Sequence, residues 1–248
     1  MDFHQTITHK GIKVTATAAG HVLGAAMFTV EIDGVRVLYT GDYSMEEDRH
    51  LIPGSIPPGG PPDVLIVEST FGVTTLPPRS GPIHTNTNTT TLLICICQLN
   101  CVCLYIHRLD REANFTSTVN KVVSQGGCCL IPVFALGRAQ ELLLVLDEFW
   151  QAHPELQHIP VYYASRLASK ALRVYQTFVN TMSTHIREAM DVSNPFKFAC
   201  VQNMTSADFQ AAGPCVVMAA PGFLQTGVSR ELFEQWCEDE RNAVIIAG

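Results

Sequence analysis

The sequence predicts an α/β protein in which a β-rich first part precedes repeated strand–helix units. Two observations support this prediction. The alternating apolar runs 27–32 and 35–39 enclose Asp33-Gly34, a pair typical of a two-residue hairpin turn because both central residues need positive φ. From residue 127 onward, short apolar runs alternate with segments of helical periodicity, which indicates a mostly parallel sheet covered by helices.

The β-rich first part contains four predicted strands. They lie at residues 12–18, 26–32, 35–40 and 64–68. The proline- and glycine-rich segment 53–62 precedes the last strand and is a predicted loop. Because residues 64–67 are all apolar, we expect the last strand to be buried on both faces.

The second part contains predicted strands and helices in alternation. The strands lie at residues 128–134, 159–164, 215–219 and 243–247. Helices are predicted at residues 110–123 and 138–150, and a single long helix carries apolar residues from Leu172 to Ile186. Ser229 is predicted to cap a further helix that ends at Trp236.

Composition narrows the classes of function. The chain has 248 residues, is 47% hydrophobic, and carries a net charge of −7 without a basic run. Charge therefore argues against strong non-specific nucleic-acid binding, although a nuclease can hold RNA through metal ions and partner subunits. No stretch is long and apolar enough to span a membrane. The nine cysteines have no disulfide-like spacing, which favours a reducing compartment.

Residues 80–108 do not fit the surrounding pattern. A Thr/Asn-rich tract is followed by an apolar run that contains four cysteines at C-x-C-x3-C-x-C spacing, namely Cys95, Cys97, Cys101 and Cys103. Zinc sites usually have paired C-x2-C spacing, so we favour an aberrant or disordered insertion, such as translated intron sequence, over a metal cluster.

Two potential metal ligands are predicted to meet at one end of the hairpin. If Ile32 lies opposite Val35, Asp42 falls opposite Ala25, beside the loop 20–24 that carries His21. An imidazole and a carboxylate both bind zinc, but from spacing alone a capped loop histidine and a turn aspartate are the favoured interpretation, because pairs of possible ligands are common by chance. Glu68, at the end of the fourth predicted strand, is either part of a reactive site or a carboxylate that caps a helix or anchors a loop.

Several strings resemble a known family. They are AGHVLGAAMF, LYTGDYSMEEDRHL, DVLIVESTFG, LIPVFALGRAQELLLVLDEFW, YYAS and SRELFEQWCEDERNAVIIAG. Together they resemble the metallo-β-lactamase/β-CASP nucleases, and the last two favour the branch that cleaves pre-mRNA before polyadenylation. The resemblance implies a partial metallo-β-lactamase αββα sandwich over residues 1–134. A β-CASP domain with a mostly parallel sheet and helices on both faces would follow over residues 135–248.

The resemblance also implies roles for individual residues. His21 would ligate one zinc ion, Asp42 would bridge two zinc ions, and Glu68 would orient a histidine that acts on the leaving group. Asp42 and Glu68 are therefore the candidate catalytic residues, and His21 and Asp42 the candidate metal ligands. The two zinc ions would activate a water for attack on an RNA phosphodiester. The implied partners are pre-mRNA and other cleavage and polyadenylation subunits, including a paralogous β-CASP subunit, in the nucleus and without a membrane.

The sequence departs from the family pattern in its metal ligands. The motif His-x-His-x-Asp-His is expected before residue 1, and the later β-CASP histidines beyond residue 248. We therefore expect this chain to be a fragment that is inactive alone and binds zinc weakly. His4 and His9 are expected at the surface and His50 in a structural position. Two alternatives remain open, a non-catalytic scaffold of the processing complex and a hydrolase of small esters.

Overall fold

The structure, a computed structural model, describes residues 1–45, 48–70, 93–96, 108–134, 136–165, 168–204 and 213–247. The chain divides into two compact units. The first unit combines Met1–Thr74 with Val174–Pro195, and the second combines Thr75–Arg173 with Phe196–Gly248. Each unit contains one β-sheet.

The sheet of the first unit has five strands in sequential order. They are β1 (Thr6–His9), β2 (Ile12–Ala18), β3 (Ala26–Ile32), β4 (Val35–Tyr39) and β5 (Val64–Ile66). β1 to β4 pair antiparallel, whereas β5 runs parallel to β4. The four predicted strands are therefore confirmed as β2 to β5, and the short strand β1 was not predicted.

The prediction that residues 64–67 are buried on both faces is wrong. β5 is the edge strand of this sheet, and its residues Val64, Leu65 and Ile66 are 46%, 56% and 49% exposed. A strand at the edge has a neighbour on one side, so an apolar run alone does not establish a central position.

The sheet of the second unit is parallel throughout its described strands. Its order is β6–β11–β7–β10–β8–β9. The strands are β6 (Leu93–Ile96), β7 (Cys129–Pro132), β8 (Val161–Ala164), β9 (Val201–Asn203), β10 (Val216–Ala219) and β11 (Ala243–Ala247). This confirms the predicted parallel sheet, with β6 and β9 as additional strands at its two edges.

Helices cover both faces of this sheet, as predicted. Alternate residues of the strands point to opposite faces. On one face, Ile131 and Met218 pack with α1 (Arg108–Ser124) and α2 (Arg138–Ala152). On the other face, Leu130 and Val217 pack with Leu232 of α5 (Gly227–Trp236). None of the helices in these described segments combines the length and apolarity needed to cross a bilayer.

The predicted long helix from Leu172 to Ile186 is wrong. The structure has α3 (Ala168–Thr177), a 3₁₀ turn at Val179–Thr181, and α4 (Thr184–Val192). Ser183 begins α4 as its N-cap, and its hydroxyl accepts a hydrogen bond from the amide of Ile186. Ser229 is also not the predicted cap, because α5 begins after Thr226 and the Ser229 hydroxyl donates to the carbonyl of Pro221.

The compact units do not coincide with the predicted domains 1–134 and 135–248. β7 is predicted within the first domain but is a central strand of the second sheet. The assignment of residues 1–134 and 135–248 to two family domains therefore stays a prediction. Of the predicted insertion 80–108, residues 93–96 form β6 and Arg108 begins α1, while residues 80–92 and 97–107 lie outside the described residues.

A buried carboxylate in α2 holds the chain segment before β9. Asp147 is 6% exposed and accepts hydrogen bonds from the amides of Ala199 (3.3 Å) and Cys200 (2.7 Å) and from the side chain of Gln151 (2.6 Å). Because two of these donors are backbone amides, this carboxylate fixes how the segment approaches the sheet.

We expect Asp147→Ala to lower the free energy of unfolding by about 2–4 kcal/mol, because it leaves partly buried amides without an acceptor. Urea unfolding followed by tryptophan fluorescence measures this change. Asp147→Asn keeps one acceptor oxygen and should lower the free energy of unfolding by less. Asp191→Ala, at an exposed position of α4, is the matched control. Equal effects of Asp147→Ala and Asp191→Ala would contradict the anchoring role.

Candidate metal centre

The β3–β4 hairpin has the predicted turn and register. Asp33 and Gly34 have φ values of 49° and 84°, and Ile32 pairs with Val35. The ladder ends with Phe28 opposite Tyr39. The ends of the two strands therefore lie side by side, and the residues just beyond them start from neighbouring points.

Backbone hydrogen bonds fix the two segments that leave these strand ends. The amide of Ser44 donates to Ala19 (2.8 Å), and the amide of Gly54 donates to Ser44 (2.7 Å). The amide of Ser55 donates to Ala18 (3.0 Å). A Cβ on Gly20 would collide with the Ser44 carbonyl and come within 2.9 Å of the Gly54 nitrogen, so only glycine fits between these segments.

This arrangement brings His21 and Asp42 together. His21 Nε2 and Asp42 Oδ2 are 3.9 Å apart, with the side chains 47% and 74% exposed. The distance is too long for a hydrogen bond. Two atoms that bind one tetrahedral zinc ion at about 2 Å lie about 3.3 Å apart, so the two side chains are close to, but slightly wider than, the spacing of a shared zinc ion.

Glu68 lies beyond β5 and is also influenced by His21. Its carboxylate accepts a hydrogen bond from the amide of Thr70 at 3.1 Å. Hydrogen bonds from the Thr70 hydroxyl and amide lower the pKa of Glu68 below its usual value, and the charge of His21 adds to this effect. Both effects favour the ionised form of Glu68. Thr70 was not predicted as part of this site, although its position two residues after an acid is a typical turn signal.

The other histidines considered in the sequence analysis lie elsewhere. His4 and His9 are exposed. His50 is completely buried, its Nδ1 lies 2.7 Å from Asp48 Oδ1, and its ring stacks on Tyr175 at 5.5 Å. The amide of Ser183 donates to the His50 carbonyl, so this residue joins the segment after Asp42 to the start of α4.

The residues present fit part of a zinc site. An imidazole nitrogen and a carboxylate oxygen are suitable donors, but zinc usually takes about four ligands. Within the described parts of the chain, no group of three or more His, Cys, Asp or Glu side chains is arranged to hold a metal ion. These residues therefore do not form a complete zinc site by themselves.

Comparison with known proteins identifies the second half of the chain. Residues 139–248 match the Beta-Casp domain family. This part of the chain is a β-CASP domain. The match confirms the resemblance inferred from the sequence strings, and the matched residues supply β8 to β11 of the parallel sheet.

Similarity to curated proteins extends beyond the β-CASP domain. The chain is 51% identical to "Cleavage and polyadenylation specificity factor subunit 3" of Dictyostelium discoideum over 247 residues, which is 99% of this chain and 28% of that protein. It is 51% identical to "Cleavage and polyadenylation specificity factor 73" of Drosophila melanogaster, over 100% of this chain and 32% of that protein. The chain is 49% identical to "Endoribonuclease YSH1" of Mycosarcoma maydis, over 100% of this chain and 25% of that protein.

The chain thus spans about a third or less of the length of these relatives. A crystal structure of a protein of unknown function from Enterococcus faecalis V583 is 10% identical, with a TM-score of 0.46 over 100% of this chain and 55% of that one. A likeness at this level does not define a function.

We expect Gly20→Ala to destabilise the first unit by about 3 kcal/mol or more, because the added methyl group overlaps the backbone of Ser44 and Gly54. Gly24 also has positive φ, but a Cβ there meets open space, so Gly24→Ala should cost only about 1–2 kcal/mol. Urea unfolding followed by circular dichroism compares the two variants. Equal losses of unfolding free energy in the two variants would show that the nearby backbone of Ser44 and Gly54 does not restrict residue 20 to glycine.

We expect the 248-residue chain to bind zinc weakly through His21 and Asp42. Complete structural zinc sites contribute about 10–16 kcal/mol, so half of the ligands correspond to a dissociation constant between about 1 μM and 0.2 mM. Calorimetric titration should show this binding lost in His21→Ala/Asp42→Ala and retained in His185→Ala, which changes an exposed histidine. Two zinc ions held with nanomolar affinity would contradict this expectation.

Proposed function

We propose that the full-length protein containing this chain is a zinc-dependent endoribonuclease subunit of the pre-mRNA 3′-end cleavage and polyadenylation machinery. It would hydrolyse an RNA phosphodiester. The observation that carries the proposal is the identity of 49–51% across essentially the whole chain with proteins named as such subunits or as endoribonucleases. The β-CASP domain over residues 139–248 supports the same assignment.

In this proposal, each predicted site residue has a specific role. His21 would supply an imidazole and Asp42 a carboxylate to the zinc ions, and the proximity of the two side chains, 3.9 Å apart, supports this. Glu68, kept ionised by Thr70, orients a histidine toward the leaving group. The β-CASP domain contributes to holding the RNA.

The proposal includes partners and a limit on the isolated chain. The partners are pre-mRNA and the other subunits of the complex, including a paralogous β-CASP subunit, and the site of action is the nucleus. Because the described residues provide only two clustered zinc donors, we propose that this chain alone does not cleave RNA. The scaffold alternative agrees with that inactivity but requires no role for His21 or Asp42.

A hybrid protein tests the proposal. Fly cells are depleted of cleavage and polyadenylation specificity factor 73. A hybrid is then expressed in which this chain replaces the matching segment of the fly subunit. A second hybrid lacks residues 80–108, the predicted insertion. We expect at least one hybrid to restore 3′-end cleavage of a reporter transcript. In that hybrid, His21→Ala and Asp42→Ala should lower cleavage about a hundredfold or more, since even outer-sphere substitutions cost 10–100-fold.

The hybrid with His185→Ala is the matched control and should cleave normally. Co-purification of the other subunits measures assembly separately from cleavage. Normal cleavage with His21→Ala and Asp42→Ala would support the scaffold instead. If neither hybrid restores cleavage although both accumulate and assemble normally, the proposed function is wrong.

A further inference from the structure

Two cysteines lie side by side at the amino-terminal ends of neighbouring strands in the second unit. β7 and β10 are parallel, and Cys129 pairs with Val216. The preceding residues, Cys128 and Cys215, are therefore adjacent across the two strands. The amide of Cys129 donates to the carbonyl of Cys215 at 2.8 Å, which holds the two backbones at this point.

The two side chains lie on the same face of the sheet. Cys215 and Cys128 both pack in the cluster that contains Leu130 and Val217. Cys129 belongs to the cluster on the opposite face, because successive side chains of a strand alternate. The sulfur neighbouring Cys215 is therefore that of Cys128.

The surroundings give these two thiols different chemistry. A hydrogen bond from Cys215 lowers the pKa of Cys128 to about 7, although partial burial opposes this effect. Nearby charges act in opposite directions, since Asp239 raises the pKa of Cys128 and Arg241 lowers it. The pKa of Cys215 is raised by its hydrogen bond to Cys128 and by its burial. Cys128 is also the more exposed of the two thiols, and its lower pKa and greater exposure favour it as the nucleophile of the pair.

We propose that Cys128 and Cys215 form a redox-active thiol pair that a hydroperoxide converts to a disulfide. The Cys128 thiolate attacks the peroxide, forming an S–O bond and breaking the O–O bond, with hydroxide as the leaving group. Cys215 then attacks the sulfenic acid, so that the S–S bond forms and water leaves. The two thiols lose two electrons, and hydrogen peroxide is reduced to two molecules of water.

This inference is independent of the proposed nuclease function. It needs only the register of β7 and β10 and the hydrogen-bonded pair of thiols. A dithiol reductant reverses the reaction by thiol–disulfide exchange.

The first test measures the alkylation rate of individual cysteines in the reduced chain across pH 5.5–9.5 by quantitative peptide mapping with iodoacetamide. We expect the Cys128 rate to be half-maximal near pH 7, whereas in urea its midpoint rises toward the ordinary value of about 8.5. Cys215→Ala removes the hydrogen-bond donor and should slow alkylation of Cys128 at pH 6.5 by about tenfold or more. Cys237, an exposed thiol, is the internal reference. A folded-state midpoint at or above the value in urea would overturn the proposal.

The second test treats the chain with one equivalent of hydrogen peroxide, blocks free thiols, and maps disulfides after tryptic digestion. The expected product links peptide 122–138 to peptide 198–230, with a loss of two hydrogen atoms. These peptides also contain Cys129 and Cys200, so fragmentation between residues 128 and 129 assigns the first partner. The cross-link should persist in Cys200→Ser and disappear in Cys215→Ala. A cross-link through Cys200, or over-oxidation of Cys128 without a cross-link, would refute the pairing.

Discussion

The close approach of two backbone segments determines the arrangement of the candidate metal centre. Residues 18–20 and 44–55 are joined by hydrogen bonds from Ser44, Gly54 and Ser55, and the space between them has no room for a Cβ on residue 20. His21 follows the first segment and Asp42 precedes the second. Their separation of 3.9 Å therefore depends on main-chain contacts, and these two exposed side chains need no direct bond to stay together.

Local sequence signals predicted the parts of this site that follow from strand register. Asp33-Gly34 requires a tight turn, and the turn fixes which residues face each other, so the convergence of His21 and Asp42 could be predicted. The contacts of Ser44 and Gly54 with the preceding loop, and that of Thr70 with Glu68, could not. They depend on the paths of loops, which no periodic pattern encodes.

The errors in the fold prediction have a similar origin. Apolar spacing continues from Leu172 to Ile186 across the end of α3, so the pattern alone favoured one helix, while the capping hydroxyl of Ser183 separates two. The run 64–67 is apolar but lies at a sheet edge. β1 and β9 are short and largely polar, and their place in a sheet comes from pairing with a neighbour.

The strand order of the second sheet has a consequence for how the protein is made. β11 comes last along the chain, yet it lies between β6 and β7, and β10 separates β7 from β8. β7 thus lacks its neighbour on that side of the sheet until β11 is inserted, more than a hundred residues after β7 is synthesised. During synthesis, this edge of β7 has no β11 to pair with, and unpaired strand edges favour aggregation of partly folded chains.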